Sequence, residues 1–438
     1  VALIYQDQYL HRRYAKPGKI ECLATHDRIV LDMLKKGSHS GSGKTFHEPV
    51  IVSNPQGLGS TLTAAQQVSE GGHAGSGAVV GEWSLPYGDY AGEVIISDKD
   101  IAAGGDVPDG SYLKPFGLQT DGLIDEFGEV MDSYLFAESG KALGQYTGAS
   151  MAAGVLTLTG DAAETQIMNF NLGAAFQSGN ASAATPSAAS LLGAGSVGFV
   201  IAVDYDALTV TFSTTAGGAA ATPAAWNTAT PTNFLFRNSD FQGTGGGNTP
   251  TFIMDSFADW IPSVADTGTF KSLPRGSDTR LSGGRLTAAQ SAGLNTEERI
   301  KKLVVKLNSV FGGKGEKLVC MESIQWQKLA SILEKRGQRP LDGKTANMGY
   351  KYIELNTARG PAKVIAVPKC RPDMFWALEI DKWTLRTLNG FPAVMKSDGF
   401  QMLRKASSNT YGFRLTCYGH LSTPYPSRHG RGIVDVSA

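Results

Sequence analysis

The stretch Pro115-Phe-Gly-Leu-Gln-Thr-Asp-Gly-Leu-Ile-Asp-Glu-Phe-Gly-Glu-Val-Met-Asp-Ser-Tyr-Leu-Phe-Ala-Glu-Ser-Gly140 sets the plan of the chain. Phe116, Leu123, Phe127, Val130, Met131, Tyr134 and Leu135 recur at intervals of three and four, which predicts one long amphipathic helix. The composition changes directly after it. Residues 148–250 carry only Asp161, Glu164, Asp204, Asp206, Arg237 and Asp240 as charged side chains. Short apolar runs over Val155 to Thr159, Gly198 to Val203, Leu208 to Ser213 and Phe234 to Arg237 alternate there with Ala, Gly, Ser and Thr turns. Val155, Leu158, Phe170, Phe176, Val200, Phe212, Trp226 and Phe236 are too much apolar mass for a solvated linker, so this span reads as an inserted, separately folded all-β domain.

Upstream, Ile29, Val30, Met33 and Leu34 give Ile20 to Lys36 a helical period that ends on Gly37. His47 to Ser53 and Trp83 to Ser97 read as strands. The Gly, Ser and Gln-rich span from Asn54 to Gly81 between them reads as a long loop reaching away from the body. Downstream the chain is ordinary α+β. Asn295 caps a helix with an acidic first turn and Ile300, Leu303, Val304, Leu307 and Val310 on one face. Leu318 to Met321 and Lys363 to Pro368 read as strands, Ser323 to Arg336 as a second helix, and Asp373 to Arg386 and Gln401 to Tyr418 as further strands.

The bulk properties narrow the class. At 438 residues the chain is long enough for two or three folding units, and its 53 glycines fit many turns and close backbone approaches. Forty basic residues balance forty acidic ones, so no global field attracts phosphate or an anionic membrane. Cys22, Cys320, Cys370 and Cys417 are scattered without a C-x-x-C pair, which predicts reduced thiols rather than a zinc ribbon or disulfide scaffold. No apolar run reaches the roughly 18 residues of a membrane span, and the opening residues lack the pattern of an export signal.

Local motifs for chemistry all fail on context. Gly41-Ser-Gly-Lys44-Thr45 resembles the end of a phosphate-binding loop, but the preceding glycine is out of place and a strand, not a helix, is predicted to follow. His11, His26, His39, His47, His73, His420 and His429 show no metal-ligand spacing. Asp204 and Asp206 flank Tyr205 between two predicted strands, which favours a hairpin turn over a calcium loop. Lys301, Lys302, Lys306, Lys328, Lys335 and Arg336 give two helices a basic bias best read as their solvated faces. Catalytic, cofactor and metal residues are therefore expected to be absent.

Four phrases carry a resemblance. Asp255-Ser-Phe-Ala-Asp-Trp-Ile-Pro262 followed by Thr279-Arg-Leu-Ser-Gly-Gly-Arg285, then Gly360-Pro-Ala-Lys-Val-Ile-Ala-Val-Pro-Lys-Cys370, then Asp398-Gly-Phe-Gln-Met-Leu-Arg404, and last Tyr418-Gly-His-Leu-Ser-Thr-Pro-Tyr-Pro426 resemble, in order and spacing, the major capsid proteins of tailed bacteriophages. The resemblance covers roughly the last 190 residues by motif and the first half by element order. It implies the Hong Kong ninety-seven type of capsid fold.

On that plan residues 1–46 form an N-terminal arm with a short helix, 47–105 the E-loop region, and 106–147 the spine helix and part of the P-domain. Residues 148–250 are the inserted β-domain, 251–316 the P-domain, 317–389 the A-domain, and 390–438 strands returning through the A-domain and P-domain. The resemblance further implies self-assembly into hexamers and pentamers of an icosahedral shell built in the host cytoplasm. It would enclose double-stranded DNA without sequence readout, with scaffolding, portal and cement proteins as partners. Trp83, Tyr87, Tyr90, Trp260, Arg280 and Arg285 are expected at assembly interfaces. The span from Ile51 to Ser97 holds neither Lys nor Arg, so no lysine-anchored covalent mesh is expected there. Rival readings are another virion component, a decoration or tail-tube subunit, and an enzyme carrying an inserted β-domain.

Overall fold

The computed structural model describes residues 28–38, 43–55, 58–61, 63, 78–99, 115–137, 141–159, 163–180, 191–227, 232–242, 252–313, 315–335, 352–358, 360–388, 390–395, 402–405 and 408–434. The long helix runs from Pro115 to Phe136, opened by a proline whose missing N–H costs nothing at a helix start. Phe127, Val130, Met131, Tyr134 and Leu135 are all buried, as their spacing requires.

Beside this helix lies a sheet organised around one strand, Thr410–Ser422. Along one edge it pairs antiparallel with Gly88–Ser97. Along the other it takes Thr384–Thr387, Ala393–Val394 and Met402–Arg404 in succession. Lys35–Ser38 adds a parallel strand outside Thr384–Thr387. This corrects the first expected helix: it ends at Met33, and Gly37 sits inside a strand rather than closing a helix. The parallel partner outweighs the local helical period. Residues up to 27 lie outside the described residues.

The expected strand from Trp83 to Ser97 is two strands. Val79–Pro86 pairs with Thr45–Ser53 in a separate two-stranded hairpin, while Gly88–Ser97 joins the body. The break falls at Tyr87, and Gly88 makes it possible, because a Cβ there would lie 1.4 Å from the carbonyl oxygen of Ile253. The middle of the expected loop lies outside the described residues.

The charge-poor segment and the residues just before it contain a seven-stranded antiparallel sheet in the order Gly144–Tyr146, Asn233–Arg237, Ala175–Gly179, Val197–Asp204, Thr209–Ser213, Val155–Thr157, Met151–Ala152. Its two end strands are consecutive in the chain. Thr159 N–H donates to the Gln145 carbonyl at 2.9 Å, drawing the Val155 side toward the Gly144 side so that the sheet curls toward a small barrel. Phe170, Phe176, Phe212 and Trp226 fill it with ring centroids 4.7 to 6.5 Å apart.

This barrel is bound to the body. Arg237 pairs with Glu126, Tyr134 donates to Asp240, and Asn171 donates to Glu126 at 2.8 Å, so three residues of the barrel bond to two of the long helix. The first strand, Gly144–Tyr146, lies upstream of residue 148, where the charge-poor segment begins.

A second six-stranded sheet runs Gly284–Leu286, Gly430–Ile433, Met374–Leu378, Lys317–Met321, Gly360–Ala366, Tyr352–Thr357. Helices Thr296–Ser309 and Ser323–Lys335 cover one face, packing Ile300, Leu303, Leu307, Leu329 and Leu333 on Val319, Met321, Val364 and Phe375. Asn295 and Glu298 form the reciprocal cap expected of the first helix. Cys320, Cys370 and Cys417 are free and buried.

Candidate assembly surfaces

The phrase from Asp255 to Arg285 builds the joint between hairpin, long helix and body. Ser256 and Asp259 cap each other around the short helix Phe257–Trp260. That helix delivers the Trp260 ring into the core, where its Nε1–H donates to the Leu421 carbonyl at 3.0 Å. Trp83, from the hairpin, meets Trp260 edge to face at 5.1 Å, and Phe270 lies 5.3 Å from Trp260 on another side. Arg275 closes the joint by donating to the carbonyls of Asp259 and Trp260 at 3.0 and 3.1 Å while stacking on Phe270. Burial lowers its pKa to about 10, against the pull of Asp266. Two ion pairs, Lys141 with Asp259 at 3.3 Å and Lys271 with Asp255 at 3.0 Å, neutralise the surrounding charge. Burial still raises the Asp255 pKa.

These contacts revise the expected interface residues. Trp83 and Trp260 have no exposed surface, so both hold the subunit together and offer nothing to a neighbour. Tyr90 is enclosed by Phe127 at 5.1 Å and Tyr134 at 6.0 Å. Tyr87, partly buried, leans on His420 at 5.0 Å at the root of the hairpin. Arg386 pairs there with Glu48 at 3.2 Å and covers Phe46. Burial raises the Glu48 pKa and Arg386 pulls it down. Arg280 is half exposed, pairs with Asp278, and reaches the Val52 carbonyl of the hairpin at 3.4 Å. Arg285 is partly buried, and among the described residues its guanidinium donates to Ser282 and Gly283 oxygens.

Sequence reasoning did not single out the apolar flank of the hairpin. Ile51, 64% exposed, faces Val80, 63% exposed, across the two strands, with Val79 beside them. The signal was present as consecutive β-branched residues, and among the described residues no third strand covers them.

Lys44 and Thr45 lead into a strand, and Gly41 and Ser42 lie outside the described residues. Asp204 accepts from the N–H groups of Asp206 and Ala207 at 3.0 and 2.9 Å, a tight turn between barrel strands. His11, His26, His39 and His73 lie outside the described residues. Among the described residues no group of three His, Cys, Asp or Glu side chains could hold a metal ion. No described helix is long and apolar enough to cross a membrane.

No family model and no curated protein matches the chain. Among solved structures it is similar to a chain of the cyanophage A-1(L) capsid asymmetric unit at 11% identity and a TM-score of 0.47, covering 99% of each chain. It is similar to a chain of the native GTA particle capsid at 9% identity and a TM-score of 0.44, covering 98% of this chain and 97% of that one. A third likeness is to a chain of the holo-SrpI encapsulin complex from Synechococcus elongatus PCC 7942, at 7% identity and a TM-score of 0.45, covering 100% of this chain and 98% of that one.

Proposed function

We propose that this chain is the major capsid protein of a tailed bacteriophage, a structural subunit without catalysis that assembles into an icosahedral shell around double-stranded DNA. One observation carries the reading. A two-stranded hairpin, a 22-residue helix and a thirteen-residue strand meet at the joint formed by the Asp255 to Arg285 phrase. Such a subunit presents different surfaces in several directions, which a closed shell of identical chains needs for its non-equivalent contacts. Many modest contacts then hold firmly because each later one is intramolecular.

On this reading the hairpin is the E-loop, Pro115–Phe136 the spine helix, the barrel a domain serving contacts between capsomers or with a cement protein, and the six-stranded sheet with its two helices the A-domain and part of the P-domain. Arg280 and Arg285 belong to assembly contacts. Scaffolding and portal proteins are its further partners, and the shell forms in the host cytoplasm. A formally neutral subunit contacts packaged duplex weakly and without reading sequence.

Expression of the chain, with its scaffold if one is needed, followed by sedimentation and electron microscopy tests the proposal. Closed shells are expected, and subunits that stay monomeric under every assembly condition overturn it.

A further inference from the structure

Three cations converge beside the joint, and among the described residues none of them forms an ion pair. Lys302 Nζ donates to the Gln290 carbonyl at 2.6 Å. Lys306 Nζ donates to the Arg285 carbonyl at 2.8 Å and to Gln290 Oε1 at 3.2 Å. The Arg285 guanidinium meets Ser282 and Gly283 oxygens, and its buried Nε has no partner. Every acceptor in this group is neutral. After burial, the next cause lowering the Lys306 pKa is Arg285, then Lys302, and for Arg285 it is Arg431, with Asp266 pulling the other way from beyond ion-pair distance. Lys302 is exposed and Lys306 and Arg285 are partly buried, so the group is open to an anion from outside the chain. Apolar surface adjoins it: Val310 is 69% exposed, and the Phe311 ring lies 5.9 Å from Lys306 Nζ.

The barrel carries the complementary charge. Residues 148–250 hold five acidic side chains and one basic, so the rest of the chain holds 35 acidic against 39 basic. Arg237 and Asp240 are spent on the long helix. At the barrel's hairpin tip, Tyr205 is 53% exposed between exposed Asp204 and Asp206, in a turn fixed by the Asp204 side chain. Among the described residues neither carboxylate forms an ion pair.

We propose that the Asp204-Tyr205-Asp206 tip of one copy docks on the Arg285, Lys302 and Lys306 site of a second copy, with Tyr205 against Val310 and Phe311. The two sites are not paired within one chain, so the occupant is another copy. The inference rests on the shell reading and names the partner of the barrel. One exposed ion pair is worth about 0.2–1 kcal/mol, but a shell repeats the contact at each equivalent position.

Charge exchange in the full chain tests the docking. Asp204→Lys with Asp206→Lys, and separately Lys302→Glu with Lys306→Glu, should each lower shell yield about tenfold, a change of about 1.4 kcal/mol in the assembly step. All four changes together should restore yield. Thermal unfolding of each subunit confirms folding; if a reversed pair fails to fold, the neutral Asn and Gln versions replace it and should give an intermediate loss. Wild-type yield from either single pair, or no rescue among folded variants, overturns the docking. Shells of the Lys302 and Lys306 variant that form normally but retain less DNA also overturn it, by making phosphate the anion. Failure of the unaltered chain to form shells overturns the shell reading instead, so the two are separable.

Discussion

Asp132 gives the sharpest test of how the N-terminal segment is held. Its carboxyl is fully buried on the long helix, and Oδ1 accepts from the Leu31 N–H in the first turn of Ile29–Met33 at 3.1 Å, while Oδ2 has no partner. Burial pushes its pKa up to about 7; Lys369 and Arg28 pull it down and Asp32 pushes it up. An unfolded aspartate titrates near 3.9, and at about 1.4 kcal/mol per pH unit the gap sets a ceiling of about 4 kcal/mol. Because the folded value lies above the unfolded one, the folded chain holds the extra proton between them. The contribution of this group is therefore greatest below about pH 4, declines as pH rises, and is flat above about pH 7. Asp132→Asn keeps an acceptor for Leu31 and removes the titration. The variant should gain on the wild type across that interval, by about 1–3 kcal/mol at its upper end once relaxation is allowed for. Urea unfolding of dispersed subunits from about pH 5 to 8 measures the gap. A gap independent of pH, or one that narrows as pH rises, refutes the reasoning.

Three further outcomes follow from the same contacts. Trp260→Ala leaves a cavity between Trp83 and Phe270 and an unpaired Leu421 carbonyl, and should cost about 3–5 kcal/mol by thermal unfolding. His429 is buried and neutral, accepting from the Glu379 N–H and bonded to Thr423, and burial, then Lys317 and Arg428, hold its pKa well below the ordinary value. The unfolded chain binds that proton first, so stability should fall as pH drops below about 6.5, and His429→Asn should flatten the fall. Excision of Ala149 to Thr249 with a glycine linker strips Glu126 and Tyr134 of Arg237 and Asp240, and should lower the denaturation midpoint; adding Glu126→Gln and Tyr134→Phe should recover part of it.

What could be read in advance was local. The helix from Thr296 was legible because Asn295 and Glu298 cap it within one turn, and the long helix because its period is sustained. The break at Tyr87 was not, because alternation runs unbroken through Pro86 and only the Ile253 carbonyl explains Gly88. Ala175–Gly179 was missed because Ala, Ser and Gly carry little strand signal. At the surfaces, an aromatic residue looks alike in sequence whether it serves the core or a contact, so Trp83 and Trp260 were misplaced. In the sequence Lys302 and Lys306 read as solvated helix faces and Asp204 and Asp206 as a hairpin turn. Their missing counter-ions became visible only with side-chain geometry, as did Asp132, whose partner Leu31 lies 101 residues away.

The strand Thr410–Ser422 also imposes a timetable on synthesis. Gly88–Ser97 leaves the ribosome more than 300 residues before the strand it pairs with. At bacterial elongation rates of about 5–20 residues per second, that edge waits roughly 15–60 s. During this interval Val94, Ile95 and Ile96 stand without their partners, an apolar, β-branched end of the strand of the kind that aggregates. A newly made chain is therefore most vulnerable while still attached to its ribosome, and holding factors that shield nascent strands should raise the yield of soluble subunit more than any treatment applied after release.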